Sequence, residues 1–206
     1  MKRRRKLSVI SPEVMRVATR FVAVAFACAA ILAGAATTLE AQGASGAVKA
    51  ENVEGVTHFR RLSTTVACGG ATTPAAVAGI KKMGFVSDIN FRRPSEPGAD
   101  VEGEAAAAKA AGLRYYNIPF DGEHPSDAAV DKFLAVITKP GNEPAYLHCS
   151  GGNRASTMWF IKRMVVDHWS EERAFQEATE LGMTSAALKQ FAIEYARTHK
   201  GARGAK

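Results

Sequence analysis

The sequence predicts an α/β fold with a mostly parallel central sheet flanked by helices. Three observations predict it. From residue 73 onward, short apolar runs alternate with longer stretches of helical pattern bounded by caps, prolines and glycines. The apolar run at 144–148 ends in a cysteine, a glycine pair and an arginine that opens a helix. In parallel sheets such residues collect at the carboxyl ends of strands.

Residues 1–41 read as a secretory signal peptide. Lys2, Arg3, Arg4, Arg5, Lys6, Arg16 and Arg20 precede the uncharged run Phe21–Ala36, and small residues lead to Leu39-Glu40-Ala41. The run is short beside the roughly 20 apolar residues of a membrane span. An uncleaved N-terminal anchor is the alternative. The expected location is therefore periplasmic or secreted, with membrane contact only through this segment if it is uncleaved. The segment carries a net +5 of the chain's +7 and leaves about +2 for the rest. That residue of charge gives no basic surface for nucleic acid.

Residues 42–55, rich in Gly, Ala and Ser, read as a flexible lead-in, residues 56–200 as the folded domain and residues 201–206 as a disordered tail. Alternation over 56–62 suggests a strand. Thr73-Pro74 starts a helix that Gly84 stops. Phe85–Phe91 reads as a buried strand in which Asp88 and Asn90 are out of place. Residues 92–102 form a loop, Glu104–Ala111 a helix closed by Gly112, and Tyr115–Ile118 a strand. Pro119–Pro125 is a loop, and Ser126 caps a helix over Asp127–Ile137. Pro144–His148 is the strand that feeds the cysteine. Helices then cover Arg154–His168, Glu171–Leu181 behind Ser170, and Ser185–Thr198.

The stretch His148-Cys149-Ser150-Gly151-Gly152-Asn153-Arg154 describes an anion cradle with a nucleophile inside it. Successive N–H groups of a tight loop point inward, and the helix start adds positive potential. Such a field favours a thiolate, the reactive form of cysteine. Ser150, Gly151, Gly152 and Asn153 would offer the N–H groups, and Arg154 a planar fork for two oxygens of a phosphate or sulfate. A structural thiol and a surface arginine are the bland alternatives. A cation beside a helix N-terminus is unfavourable unless it faces an anion.

This loop resembles that of the cysteine-dependent phosphatases. With four residues between Cys149 and Arg154 it is one residue shorter than usual. In that respect it is similar to the phosphatase-like domain of beta-lactamase hydrolase-like proteins and a related domain fused to plant NAD kinases. Gly69–Pro74, Gly84–Arg92 and Ala111–Pro119 carry the same resemblance, which spans roughly residues 57 to 182.

The resemblance implies a tyrosine or dual-specificity phosphatase-like domain that hydrolyses phosphomonoesters of proteins or small molecules through a phosphocysteine on Cys149. Arg154 would bind the phosphate and His148 orient the loop. Asp121, in Pro119-Phe120-Asp121, would donate the leaving-group proton, with Glu123 and His124 as alternatives. Ser156 stands in for the hydroxyl that relatives place directly after the arginine, here Ala155. Arg92 and Arg93 read as solvated rim residues. No cofactor or metal is expected, since His58, His124, His148, His168 and His199 lack ligand spacing. Cys68 reads as a buried structural residue, or as a disulfide partner for Cys149 under oxidising conditions. Two rival functions stay open. The short loop suits a rhodanese-like sulfurtransferase with a Cys149 persulfide, and Ala155 suits a phosphate-ester binding module without turnover.

Overall fold

The computed structural model describes residues 47–63 and 65–199. The predicted export signal, residues 42–46 of the lead-in and the tail beyond residue 199 lie outside the described residues. No helix among those described is long and apolar enough to cross a membrane.

Six strands form one mixed sheet: β1 (Val48–Ala50), β2 (Arg60–Leu62), β3 (Val66–Gly69), β4 (Ser87–Asn90), β5 (Arg114–Asn117) and β6 (Ala145–His148). Their spatial order is β1-β2-β3-β6-β4-β5. β3, β6, β4 and β5 run parallel, while β1, β2 and β3 pair antiparallel. The expected mostly parallel sheet is therefore present, with an antiparallel extension at one edge.

That extension differs from the sequence reading. Val48–Ala50, placed in the flexible lead-in, pairs with Leu62–Arg60. The strand expected over 56–62 is confined to Arg60–Leu62, because His58 takes a positive φ of 52°. β3 has no counterpart in the sequence reading. All four of its residues are buried, so Val66-Ala67-Cys68-Gly69 shows no alternation.

Six helices cover the sheet: α1 (Val77–Lys82, after a 3₁₀ turn at Pro74–Ala76), α2 (Val101–Ala111), α3 (Asp127–Ile137), α4 (Asn153–Val165), α5 (Glu171–Glu180) and α6 (Ala186–His199). Pro74 opens the 3₁₀ turn, and Gly112 closes α2 in the left-handed conformation. Asp100 caps α2 by accepting the Gly103 N–H, and Ser170 caps α5 by accepting that of Arg173. Ser126 sits before α3 in extended conformation, but its side chain makes no capping bond. Only its carbonyl serves the first turn, accepting from Ala129 and Val130.

The sheet separates two cores. α1 and α2 pack Val77, Ile80 and Ala108 with Phe85 and Tyr146 on one face. α3 to α6 pack Phe133, Trp159, Ile161 and Leu188 with Cys68, Ile89 and Leu147 on the other. β6 contributes Tyr146 to one core and Leu147 to the other, which is why its sequence is a continuous apolar run. The chain passes from β3 through α1 to β4, leaving a gap that β6 later fills. Connections leave this point in opposite senses, which opens a crevice at the carboxyl end of β6.

Two glycines permit the tight packing beside that crevice. A Cβ on Gly69 would stand 2.2 Å from the Tyr146 hydroxyl, and one on Gly70 would stand 3.0 Å from the Ser150 carbonyl oxygen. Tyr146 cannot easily yield, being stacked between Phe59 and His148 and bonded to Thr72 Oγ1 at 2.8 Å. Gly69→Ala should therefore destabilise the protein by about 1–3 kcal/mol, the usual cost of overpacking. Tyr146→Phe added to it should recover part of that loss. Urea unfolding measures both, and a Gly69→Ala protein as stable as the parent would contradict the packing argument.

Candidate active site

Cys149 follows β6 and is 1 % exposed. Its own N–H donates to the Gly69 carbonyl, and its Sγ accepts the Gly152 N–H at 3.1 Å. Gly152 reaches this position with φ of +92°, a conformation that side-chain-bearing residues rarely adopt. Ala71 N–H donates to the Ser150 carbonyl at 2.9 Å and so supports the cradle from the end of β3.

Arg154, in the first turn of α4, is the most connected side chain of the site. Its Nη1 donates to the carbonyls of Phe91 (3.2 Å) and Phe120 (2.9 Å), and to Glu96 Oε1 at 2.6 Å. Its Nη2 donates to Glu96 Oε2 at 2.8 Å and to Ser150 Oγ at 3.1 Å. Burial works against its charge, but Glu96 and the neighbouring Cys149 outweigh burial and hold its pKa above the usual value. Burial likewise pushes the Glu96 carboxyl up, yet the bonds from Arg154 and the Arg93 N–H, with the charges of Arg154 and Arg92, hold it at about 2.

Glu96 was not identified from the sequence. Its available signal was a single acidic residue inside Arg92-Arg93-Pro94-Ser95-Glu96-Pro97, just beyond a strand. Arg92 also departs from its reading as a solvated rim residue. It is buried, donating to the Gly98 and Pro97 carbonyls at 2.8 and 2.6 Å, and it shapes the loop that carries Glu96. Arg93 stays half exposed and pairs with Asp121 at 2.6 Å.

A cavity of about 330 Å³ opens at this point, lined by Arg92, Arg93, Glu96, Pro97, Asp121, Gly122, Glu123, Ser150 and Arg154. The structure thus brings Ser150, Arg154 and Asp121 to one opening. Asp121 Oδ1 accepts the Glu123 and His124 N–H groups, and Oδ2 accepts from Arg93. The Glu123 N–H bond, followed by the Arg93 charge and the His124 contacts, outweighs desolvation and lowers its pKa. His124 is exposed, with Nδ1 3.6 Å from Asp121 Oδ2.

Three expected site residues point elsewhere. The Asn153 amide accepts the Thr184 and Ser185 N–H groups and donates to Thr184 Oγ1, so its side chain ties the cradle to the loop before α6. Ser156 Oγ donates to the carbonyls of Gly152 and Asn153, bracing the loop from behind. His148 faces away from the cavity, fully buried, with Nε2 3.2 Å from Asp88 Oδ1 and 3.3 Å from Glu104 Oε2. These are ion-pair distances without hydrogen-bond alignment. Asp88 and Asn90, misfits in an apolar strand, belong to this cluster. Asn90 Nδ2 donates to Glu104 Oε2 at 2.7 Å and to the Tyr115 hydroxyl at 3.0 Å. Cys68 and Cys149 are both free, buried thiols. Burial pushes the Cys68 thiol up, and the charges of Cys149 and Glu177 add to it.

A sulfur at a strand end, the Gly152 N–H bonded to it and a buried guanidinium on the next helix thus stand together on a phosphatase-like α/β fold. The family model for the phosphatase-like domain of beta-lactamase hydrolase-like protein matches residues 58–166, and the chain belongs to that family. A beta-lactamase hydrolase-like protein from Xylella fastidiosa (strain Temecula1) is 26% identical over 145 residues, 66% of this chain and 33% of the relative. One from Agrobacterium fabrum is 30% identical over 105 residues, 49% of this chain and 24% of the relative. The chain thus spans about a third or less of these relatives' length.

Among solved structures, a DUF442 protein from Shewanella putrefaciens CN-32 is similar with a TM-score of 0.61 at 18% identity, covering 71% of this chain and 96% of that one. P. aeruginosa TpbA in complex with pTyr gives 0.58 at 18% identity, covering 81% and 99%. The core catalytic domain of the PP-IP phosphatase SIW14 from S. cerevisiae, in complex with citrate, gives 0.55 at 17%, covering 71% and 88%. At these identities the likeness is one of fold.

The buried histidine makes stability depend on pH. Burial disfavours the His148 cation, but Asp88 and Glu104 outweigh it and raise its pKa from 6.5 to about 9. A folded-state value above the unfolded one means the stabilisation is complete below pH 6.5 and is lost as pH rises through about 9. The urea midpoint should fall across that window, and the fall should be absent in His148→Gln. A parent profile matching that of the variant would contradict the pairing.

Proposed function

We propose that this chain is an exported, cysteine-dependent phosphatase acting on phosphomonoesters. One observation carries the reading: the Cys149 sulfur accepts a cradle N–H, and the Arg154 guanidinium, fixed by Glu96, neighbours that sulfur and lines the adjoining cavity. Export rests on the residue pattern of the first 41 residues alone.

In this mechanism the phosphate oxygens take the N–H groups of the 150–153 loop and the Arg154 guanidinium. Cys149 Sγ attacks phosphorus, the S–P bond forms and the P–O ester bond breaks. Asp121 passes its proton to the departing oxygen. Water then attacks phosphorus, Asp121 takes its proton back, and the thiolate leaves with inorganic phosphate as product. Asp121 is held as an anion by Arg93 and two N–H groups when the cavity holds no phosphate. Arrival of a dianion beside it favours its protonation, because like charges within a few ångströms disfavour a second ionised group. Glu96 acts as a positioning residue, fixing the plane of the Arg154 fork. The four-residue loop remains the one feature that favours sulfur transfer instead.

A paired assay under reducing conditions separates these readings. The purified protein is offered phenyl phosphate in one arm and thiosulfate with cyanide in the other. Phosphate release lost in Cys149→Ser and lowered about 10²–10³-fold in kcat by Arg154→Ala is the expected result. Thiocyanate without phosphate release would overturn it in favour of the sulfurtransferase. Glu96→Gln should lower kcat/KM by about 10²-fold through misplacement of the guanidinium. Unchanged kinetics would remove Glu96 from the machinery.

A further inference from the structure

We propose that Arg93 is a second anion anchor, and that the preferred substrate is a small, hydrophilic phosphomonoester carrying a second phosphoryl group. This rests on the phosphatase reading above and specifies its substrate.

The three cavity arginines differ in their partners. Arg92 spends its guanidinium on the Pro97 and Gly98 carbonyls and lies 3.5 Å from Glu96. Arg154 Nη1 shares its two N–H groups among Glu96 Oε1 and the Phe91 and Phe120 carbonyls, and Nη2 serves Glu96 Oε2 and Ser150 Oγ. Arg92 is thus committed to its own loop, and Arg154 to Glu96 and the transferring phosphate. Arg93 differs: its side chain is 46% exposed, and its close carboxylate partner is Asp121, at 2.6 Å. Its contact with Glu96 is longer, 3.4 Å, to a carboxylate that Arg154 already holds through both oxygens.

To act as an acid, Asp121 must be neutral in the complex with substrate, and a neutral carboxylic acid holds a guanidinium weakly. The catalytic cycle therefore releases Arg93 at the moment the substrate is bound. A half-exposed guanidinium then faces the cavity beside the transferring phosphate, where a second substrate anion can take it bidentately. Engagement of Arg93 by the substrate also removes a cation from Asp121, so recognition and protonation of the acid support each other.

The cavity wall agrees. Pro97 supplies its apolar side-chain surface, and none of the nine lining residues is aromatic. A phenyl ester would find no ring to stack against, whereas a polyol bearing two phosphates would meet six charged lining residues and the Ser150 hydroxyl.

The test compares fructose 1,6-bisphosphate, fructose 6-phosphate and phosphotyrosine in the parent protein, Arg93→Gln, Arg93→Lys and Cys149→Ser, by phosphate release. The parent should favour the bisphosphate over the monophosphate in kcat/KM by about tenfold or more, the worth of a charge-assisted contact. Arg93→Gln should collapse that ratio towards the twofold expected from two equivalent esters, and Arg93→Lys should restore part of it. A ratio indifferent to Arg93→Gln, with Cys149-dependent release intact, overturns the anchor and leaves the phosphatase reading standing. So does phosphotyrosine outrunning both sugar esters. No Cys149-dependent release from any of the three overturns both.

Discussion

The site depends on one buried cation. A guanidinium offers N–H donors in a fixed plane, and Arg154 directs those of Nη1 and Nη2 to the Phe91 carbonyl, the Phe120 carbonyl, the Glu96 carboxylate and the Ser150 hydroxyl. Those groups lie on three chain segments: the loop beyond β4, the run after β5 and the cradle itself. Taking a charge out of water is costly unless it is paired and hydrogen-bonded. Glu96 meets that requirement, and so the 92–98 loop must close over the cavity. Removing either partner would leave an uncompensated charge at the place where three loops meet.

The fold delivers Arg154 there because β6 is internal. It is inserted between β3 and β4, so its carboxyl end lies at the crevice between oppositely directed connections. Gly69 and Gly70, on the neighbouring strand, let the Tyr146 ring and the Ser150 carbonyl approach closely enough to hold the cradle in register. Behind β6, the ionic cluster of His148, Asp88 and Glu104 anchors the strand from the opposite face. The residue before the nucleophile is thus part of the sheet's foundation, separated from the cavity by the strand that carries it.

Local chemistry was readable from the sequence wherever a residue's neighbours were close along the chain. Cys149, Ser150 and Arg154 sit within one loop and its helix. The Pro74 and Gly112 helix boundaries are set by their own φ preferences. What escaped was long-range. β3 is buried on both sides and shows no period. β1 is three residues long and lies within a run of small residues, so its strand state depends on pairing with β2. Glu96 meets Arg154 across 58 positions, and Arg92 turns inward only because two carbonyls of its own loop await it. Asn153 and Ser156 were placed in the site by position alone. The Ser156 hydroxyl follows carbonyls of its own turn and the Asn153 amide follows N–H groups 31 and 32 positions on, so neither is directed at the Cys149 sulfur.

The central claim is that Cys149 becomes the phosphoryl acceptor. The most direct test is rapid acid quenching during turnover of phenyl phosphate, followed by the mass of the proteolytic fragment that contains residue 149. One phosphoryl group is expected on that fragment, transient in the parent and absent from Cys149→Ser. An unmodified Cys149 fragment under full turnover, or a cysteine that gains sulfur from thiosulfate and never phosphate, would contradict it.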